Sequence, residues 1–130
     1  MAGNDNVRGS RQAARSEGTP RLSDDRLYRA LASTQRRRLL CFLLDTDETT
    51  VDELATVLTG WTASERGTMG TEEDREQLVM ALRHVHLPLL TDVGLVNYDR
   101  KSGTVDIEPL VPDVSELIRE SVDPDQPPSA

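Results

Sequence analysis

The two histidines are the side chains of this sequence whose type and spacing most readily suggest chemistry. His84 and His86 stand two residues apart, and on a helix two such side chains point about 200° away from one another, whereas a shared metal ion needs a spacing of four. His86 is expected to pack inside the fold with a hydrogen bond, and His84 to face solvent or DNA. The chain has no glycine-rich phosphate loop and no nucleophile motif, and its carboxylates follow helix starts and surfaces. We therefore expect a protein that is not an enzyme, without a metal or cofactor.

Three successive arginines, Arg36, Arg37 and Arg38, precede the most apolar stretch of the chain, Leu39 to Leu44. Side chains at three successive helical positions fan over about 200°, so the three guanidinium groups cannot form one continuous surface. They either contact phosphates and neighbouring carboxylates or solvate the start of a buried helix. Both interpretations stay open.

Residues 72–108 contain the elements that would position most of the other basic side chains. Apolar residues at helical spacing predict one long helix over 72–92, started by Thr71 and ended by Gly94. Pro88 predicts a kink or a tightened last turn over 87–93, since proline removes a helical hydrogen bond. Beyond Gly94, strand-like segments at 95–98 and 104–108 flank a polar turn and predict a β-hairpin. The expected apolar rows of the helix are Leu78, Leu82, Val85 and Leu89, with Val79, His86 and Leu90 beside them.

The remaining elements are shorter. Further helices are expected near 24–32, 34–44, 51–60 and 112–121. Asp45 to Thr49 is interpreted as a polar turn, and Thr50 and Glu53 have the spacing of a reciprocal capping box. Trp61 is expected to plug the core at the end of its helix, followed by a polar linker over 62–70 that is long for a helix-turn-helix. The predicted fold class is mainly α with a β-hairpin: a winged helix-turn-helix with an extra C-terminal helix.

The composition is acidic and avoids lysine. Asp and Glu number 23, against 15 basic residues of which only Lys101 is lysine. Such a surface suits strong salt, because the Debye length at 1 M is about 3 Å and the repulsion between carboxylates is screened. The composition fits a protein of a salt-accumulating halophile, and it also fits an ordinary acidic protein. The single Cys41 excludes an internal disulfide, no leader opens the chain, and no apolar run is long enough for a membrane span. A cytoplasmic protein without membrane contact is expected.

Four segments are expected along the chain: a disordered basic tail (1–21), a winged-helix domain (22–108), a C-terminal helix (109–122) and a disordered tail (123–130). The basic tail either contacts phosphates as an arm or is simply solvated. The C-terminal helix carries an apolar stripe that includes Val114, Leu117 and Ile118. That stripe either covers the flank of its own domain or forms a homodimer with the same stripe of a second copy.

Three stretches carry a resemblance to a known family: ALASTQRRRLL, VDELATVLTGW, and REQLVMALRHVHLPLLTDVGLVNYD followed by GTVDI. Over roughly Leu27 to Glu108 the chain resembles a haloarchaeal winged-helix domain family of unknown function. HLPLLTDVGLVNYD is the specific part and is also similar to the end of the recognition helix and the start of the wing in arsenic-repressor-type regulators. The resemblance implies a winged helix-turn-helix and a role in transcription, with no effector or catalytic residue.

Two classes of function follow. The first is binding of double-stranded DNA, for which the candidate residues are Arg36, Arg37, Arg38, Arg75, Gln77, Arg83, His84, Arg100 and Lys101. In this interpretation the long helix approaches bases and the hairpin tip contacts the backbone. The second is a winged helix used as a protein-interaction module. The charge of residues 71–92 favours it, because five acids outnumber two arginines and the resulting net negative charge repels phosphate.

Overall fold

The computed structural model of the protein describes residues 19–122. Within this range the mainly helical class and the helix-then-hairpin order are confirmed, and the predictions for residues 1–18 and 123–130 lie outside the described residues. The elements are, in chain order, α1 (Asp25–Ala30), α2 (Thr34–Thr46), β1 (Glu48–Thr50), α3 (Val51–Arg66), α4 (Glu72–Ala81), a π-helical turn (Leu82–His86), α5 (Leu87–Val93), β2 (Val96–Asp99), β3 (Thr104–Ile107) and α6 (Pro112–Glu120).

The strands form an antiparallel sheet in the order β1-β3-β2. Tyr98 of β2 and Thr49 of β1 both lie opposite Val105 of the central strand. The expected polar turn at 45–49 is therefore wrong: α2 continues to Thr46, and Glu48 already begins β1, which finds its backbone partners in β3, far along the chain. Helices with a small antiparallel sheet are compatible with a winged-helix-like arrangement.

Side-chain caps start α3 and α4 at the threonines that the sequence predicts. The hydroxyl of Thr50 accepts the N–H of Glu53, and Thr71 forms a full capping box with Asp74. The sequence also predicts that the Glu53 carboxylate accepts the backbone N–H of Thr50. That prediction is wrong, because the carboxylate accepts a hydrogen bond of 2.8 Å from the Thr49 hydroxyl instead.

Helix α3 is six residues longer than the expected 51–60. It ends where Gly67 adopts a left-handed conformation (φ 70°) and the N–H of Thr68 reaches back to the carbonyl of Ala63 over 2.9 Å. The expected polar linker over 62–70 is consequently wrong in length: only residues 67–71 separate α3 from α4. This connection is shorter than the one that the sequence suggested.

Pro88 widens the long helix before it rather than tightening the turn after it. Proline cannot donate to the carbonyl four residues back, and the chain accommodates it with a π turn in which the N–H of Leu87 bonds to the carbonyl of Leu82. We refer to α4, the π turn and α5 together as the long helix. The extra residue in this turn shifts the later positions, so Val85, expected in the apolar row, is 53% exposed while Leu87 is fully buried.

The core lies between the helices and one face of the sheet. Leu82, Leu87 and Leu90 of the long helix are fully buried in it, together with Leu39, Leu40 and Leu43 of α2, Leu54 and Leu58 of α3, and Val105 of β3. Trp61 is a buried core residue as expected, but it lies within α3 rather than at its end.

Candidate nucleic-acid interface

A groove of about 430 Å³ separates the long helix from the β2–β3 hairpin. Arg83 and His84 of the π turn line one side of it, and Tyr98 and Arg100 of the hairpin line the other, with Pro88, Thr91 and Asp92 between them. Three of the basic residues predicted to bind DNA are thus brought together by the fold. We call this feature the helix–hairpin groove.

The basic groups of this groove are available for a ligand. His84 is exposed, Arg83 is half-buried and Arg100 is exposed. Among residues 19–122 none of these three side chains has a hydrogen-bond or ion-pair partner. Asp92 is the carboxylate that lines the groove with them, so the formal charge of its walls is positive.

The tip of the hairpin is a structured turn. The carboxylate of Asp99 accepts the backbone N–H groups of Lys101 and Ser102, at 3.0 and 3.4 Å. Gly103 adopts a left-handed conformation (φ 76°) and donates its N–H to the Asp99 carbonyl. Arg100 and Lys101 are therefore exposed cations on a turn in which the backbone N–H groups of Lys101, Ser102 and Gly103 are already hydrogen-bonded.

Arg36 is engaged inside the protein. Its guanidinium donates to the carbonyls of Ala30 and Arg29, at 2.8 and 3.3 Å, and contacts Nδ1 of His86 at 3.2 Å. Burial lowers the pKa of Arg36. Burial also lowers the pKa of His86, and the positive charge of Arg36 lowers it further. His86 is thus the hydrogen-bonded packing residue that its position predicts.

The next two arginines are also held by internal partners. Arg37 donates to the carbonyl of Leu31 at 2.8 Å and to the hydroxyl of Thr34 at 3.2 Å. Arg38 is 6% exposed; it pairs with Glu65 at 2.9 Å and lies over the Trp61 ring at 5.0 Å from its centroid. The three consecutive arginines therefore fasten α1, α2 and α3 to one another. Of the contacts considered for them, the one with a neighbouring carboxylate is made by Arg38.

Arg75 connects the long helix to α3. Its guanidinium donates to the hydroxyl of Thr56 at 2.9 Å and to the carbonyl of Asp52 at 3.0 Å, with the Asp52 carboxylate 3.5 Å away. Gln77 is exposed and lines a different cavity, of about 320 Å³, between α2, α3 and α4. The structure therefore places neither residue in the helix–hairpin groove.

Helix α6 packs against the domain that precedes it. Val114 and Ile118 are fully buried and Leu117 is partly buried against the same core, while Arg119 pairs with Asp45 of α2 at 2.9 Å. Two roles were considered for the apolar stripe of α6, and the structure shows the first of them: the stripe packs against its own domain. Leu117 is the one of the three predicted dimerisation residues that keeps some exposure.

Tyr98 is one of the groove residues that sequence reasoning did not select, together with Pro88, Thr91 and Asp92. It was predicted only as a strand residue. Because β2 ends at Asp99, strand alternation does not relate Tyr98 to Arg100 of the turn, and only the fold brings the two side chains to one groove.

One family model, described as "Domain of unknown function (DUF7344)", matches residues 28–106, which is more than half of the chain. The chain belongs to this family. The DUF7344 match begins within α1 and ends within β3, so it contains the whole helix–hairpin groove and leaves α6 outside. Neither the curated proteins nor the solved structures contain a match to the chain.

Two further observations on residues 19–122 concern membrane-spanning helices and metal ligands. None of the helices in this range has the length and apolar character needed to cross a membrane. Nor do His, Cys, Asp and Glu side chains in the range form a group of three that could hold a metal ion.

Proposed function

We propose that this DUF7344 domain binds double-stranded DNA as a winged helix-turn-helix transcription regulator of a halophilic archaeon, without catalysing a reaction. The observation that carries the proposal is the convergence of Arg83, His84 and Arg100 in the helix–hairpin groove. Basic groups that have no partner among residues 19–122, at the junction of a helix and a hairpin, suit the phosphate and base-edge contacts that such domains make.

The order of elements supports this proposal. In the proposed assignment α2, α3 and the long helix are the three helices of a winged helix, the β2–β3 hairpin is the wing, and β1 completes the small sheet. The short connection at 67–71 serves as the turn of the helix-turn-helix. The resemblance of HLPLLTDVGLVNYD to the helix end and wing start of arsenic-repressor-type regulators points the same way.

The distribution of charge suggests how DNA would approach. The first turn of the long helix carries Glu72, Glu73 and Asp74, which repel phosphate, whereas its middle and the hairpin tip carry the available cations. We therefore propose that the π turn and the hairpin contact the DNA, and that the acidic start of α4 lies away from the DNA phosphates. Strong salt, for which the lysine-poor surface is suited, weakens this repulsion as well as the attraction.

The proposal narrows the predicted set of DNA-binding residues. Arg83, His84, Arg100 and Lys101 are kept, and Tyr98 is added. Arg36, Arg37, Arg38 and Arg75 are assigned to the architecture instead, because each donates to carbonyls, hydroxyls or carboxylates of its own chain. A homodimer through α6 would have to use Leu117 and the exposed side of that helix.

The test is a selection of bound DNA fragments by the full chain at molar KCl, followed by titration of the recovered fragments. Enrichment of a common motif, with affinity that falls as KCl rises, is the expected result. The matched control protein carries Arg29→Gln, a substitution of an exposed arginine on α1 outside the groove. No enrichment with wild type would overturn the proposal.

The second candidate function is a protein-interaction module. It is favoured by the outward apolar side chains of Met80 and Val85 on the long helix, 57% and 53% exposed, next to the acidic start of that helix. Under this alternative wild type binds no DNA, and Met80→Ser together with Val85→Ser abolishes capture of a specific partner protein while leaving the fold intact.

A further inference from the structure

The outward side of the long helix carries charges of opposite sign on either side of an exposed methionine. Glu76, Met80 and Arg83 follow one another at spacings of four and three residues, which places them along one side of a helix. His84 follows Met80 at a spacing of four and lies beside Arg83. We call these four residues the outer stripe of the long helix.

The outer stripe is accessible, and its charges are not neutralised within the described part of the chain. Met80 is 57% exposed, Glu76 is exposed and Arg83 is half-buried. Neither Glu76 nor Arg83 has a hydrogen-bond or ion-pair partner among residues 19–122. The neighbouring Arg75, by contrast, lies 3.5 Å from Asp52. The outer stripe therefore has a negative end, an apolar centre and a positive end, with about 10 Å of helix between the two charges.

This order of groups is complementary to a second copy of itself in the antiparallel direction. When the two Met80 side chains lie at a two-fold axis, Glu76 of each copy faces Arg83 of the other, since these residues lie four and three positions from Met80 on opposite sides. A parallel arrangement would instead place Glu76 against Glu76 and Arg83 against Arg83, and such juxtaposition of like charges is costly. The charge order therefore favours the antiparallel arrangement.

The helix–hairpin groove extends the complementary surface. Glu72 and Pro88 each lie eight residues from Met80, in opposite directions. In the antiparallel pair the first turn of one helix therefore arrives beside Pro88 of the other, about 12 Å from the axis. That turn carries three carboxylates, and Arg100 lies on the hairpin side of the same groove. Both ends of the contact thus join negative groups of one copy to positive groups of the other.

We propose that the protein forms a two-fold symmetric homodimer in which the outer stripes of two long helices pack antiparallel. The acidic first turn of each helix then lies against the helix–hairpin groove of the other copy. Contact between the methionines removes apolar surface from water and persists in strong salt, which screens the charge pairs. One helix face and a hairpin tip form a small interface, so monomer and dimer are in equilibrium.

The dimer covers the cations that DNA would use. Arg83, His84 and Arg100 cannot contact a second copy and a DNA duplex at the same time, so the two partners compete for the helix–hairpin groove. This competition rests on the proposed function, whereas the dimer itself does not.

Sedimentation equilibrium of the full chain without DNA tests the dimer. It is measured at the lowest KCl concentration that keeps the chain folded and again at molar KCl. Glu76→Arg brings like charges together twice in the symmetric dimer and should weaken dimerisation about tenfold or more, and Arg83→Glu should do the same. Glu116→Arg makes the same change on the exposed side of α6 and should leave dimerisation unchanged. The effect of the two stripe variants should decrease at molar KCl.

A mixture of the two stripe variants gives the sharpest readout. In a pair formed by one Glu76→Arg chain and one Arg83→Glu chain, both contacts between the copies again join opposite charges. The mixture should therefore dimerise about as tightly as wild type, although neither variant does so alone. A chain carrying both substitutions should recover in the same way. Misfolding of a variant cannot produce this recovery, so the test separates loss of the interface from loss of the fold.

A wild-type chain that stays monomeric under both salt conditions would overturn the proposal. So would dimerisation that Glu76→Arg leaves intact, or a mixture of the two stripe variants that stays monomeric. Loss of the dimer with Glu116→Arg but not with Glu76→Arg would assign the contact to α6 instead. Because no DNA is present in these measurements, their failure is distinguishable from a failure of the proposed DNA binding.

Discussion

The guanidinium of Arg36 lies 3.2 Å from Nδ1 of His86, joining the start of α2 to the π turn of the long helix. A guanidinium can only donate, so Nδ1 must accept and the ring proton of neutral His86 resides on Nε2. Protonation of Nδ1 would remove this acceptor and place two cations together in a partly buried site. The contact therefore requires a neutral histidine at the point where Pro88 has already widened the helix.

Stability should decrease as pH falls through the ordinary histidine pKa of 6.5. The pKa of His86 is lowered in the folded state by burial and by Arg36, so below 6.5 the unfolded chain binds a proton that the folded chain does not. This contribution is complete above pH 6.5 and is lost as pH falls toward the folded pKa. Urea unfolding at several pH values between about 8 and 5.5 measures it. His86→Gln should flatten the dependence, and equal slopes for wild type and His86→Gln would contradict the assignment.

Leu82→Ala should lower the free energy of unfolding by about 2–5 kcal/mol, because it leaves a cavity where a fully buried side chain stood. The matched control is Val85→Ala on the same turn, which removes an exposed side chain and should change stability by about 0.5 kcal/mol or less. Thermal and urea unfolding provide the comparison. Equal losses for the two variants would mean that the inward face of the π turn is wrongly described.

Two glycine substitutions should change stability in opposite directions. A Cβ at Gly70 would lie 2.6 Å from Cγ2 of Thr59, so Gly70→Ala should cost about 1–3 kcal/mol through overpacking of the turn between α3 and α4. Gly60, inside α3, has open space at that position, and Gly60→Ala should stabilise by about 0.5–1 kcal/mol. Adding Thr59→Ser to Gly70→Ala removes the clashing methyl and should recover part of the loss. A Gly70→Ala protein as stable as wild type would contradict this packing.

Replacement of Arg100 and Lys101 together by Ala should weaken binding to all DNA sequences alike and reduce its dependence on salt. Both residues lie at the exposed hairpin tip, where contacts with phosphate position a protein without reading bases. Titrations at matched KCl with specific and unrelated duplexes measure the effect, and Arg29→Gln serves as the control. A loss confined to the specific duplex would indicate base contact instead.

Arg83→Ala should reduce the preference for the selected site over other sequences. Arg83 lies in the helix–hairpin groove without an internal partner among residues 19–122, and a bidentate contact to a base is worth about 1–3 kcal/mol of discrimination. The ratio of affinities for selected and scrambled duplexes provides the readout. Arg75→Ala is the informative comparison, since its bonds to Asp52 and Thr56 predict a loss of stability rather than of sequence preference.

Local signals in the sequence were enough to predict the order of elements. Thr71 and Asp74 cap a helix by contacts three residues apart, and Gly94 stops it with a left-handed backbone at φ 94°. The hairpin follows at positions within one residue of those expected. These features depend on interactions between near neighbours in the chain, so they can be predicted without knowing the fold.

The tertiary structure decided which polar groups remain for function. Arg36 contacts His86, fifty residues away, and Arg38 contacts Glu65 and Trp61. These arginines look like the exposed ones in the sequence, but they are bonded to partners that only tertiary packing brings close. β1 likewise exists because β3 supplies its hydrogen bonds.

Arg83 and Arg100, by contrast, lie in a shared groove with no carboxylate paired to either among residues 19–122. The sequence by itself determined that the chain contains a long helix followed by a hairpin, and that cations lie on both. Only the fold determined which cations are neutralised and which are presented together, because pairing depends on distances in space that helical and strand periodicity do not specify.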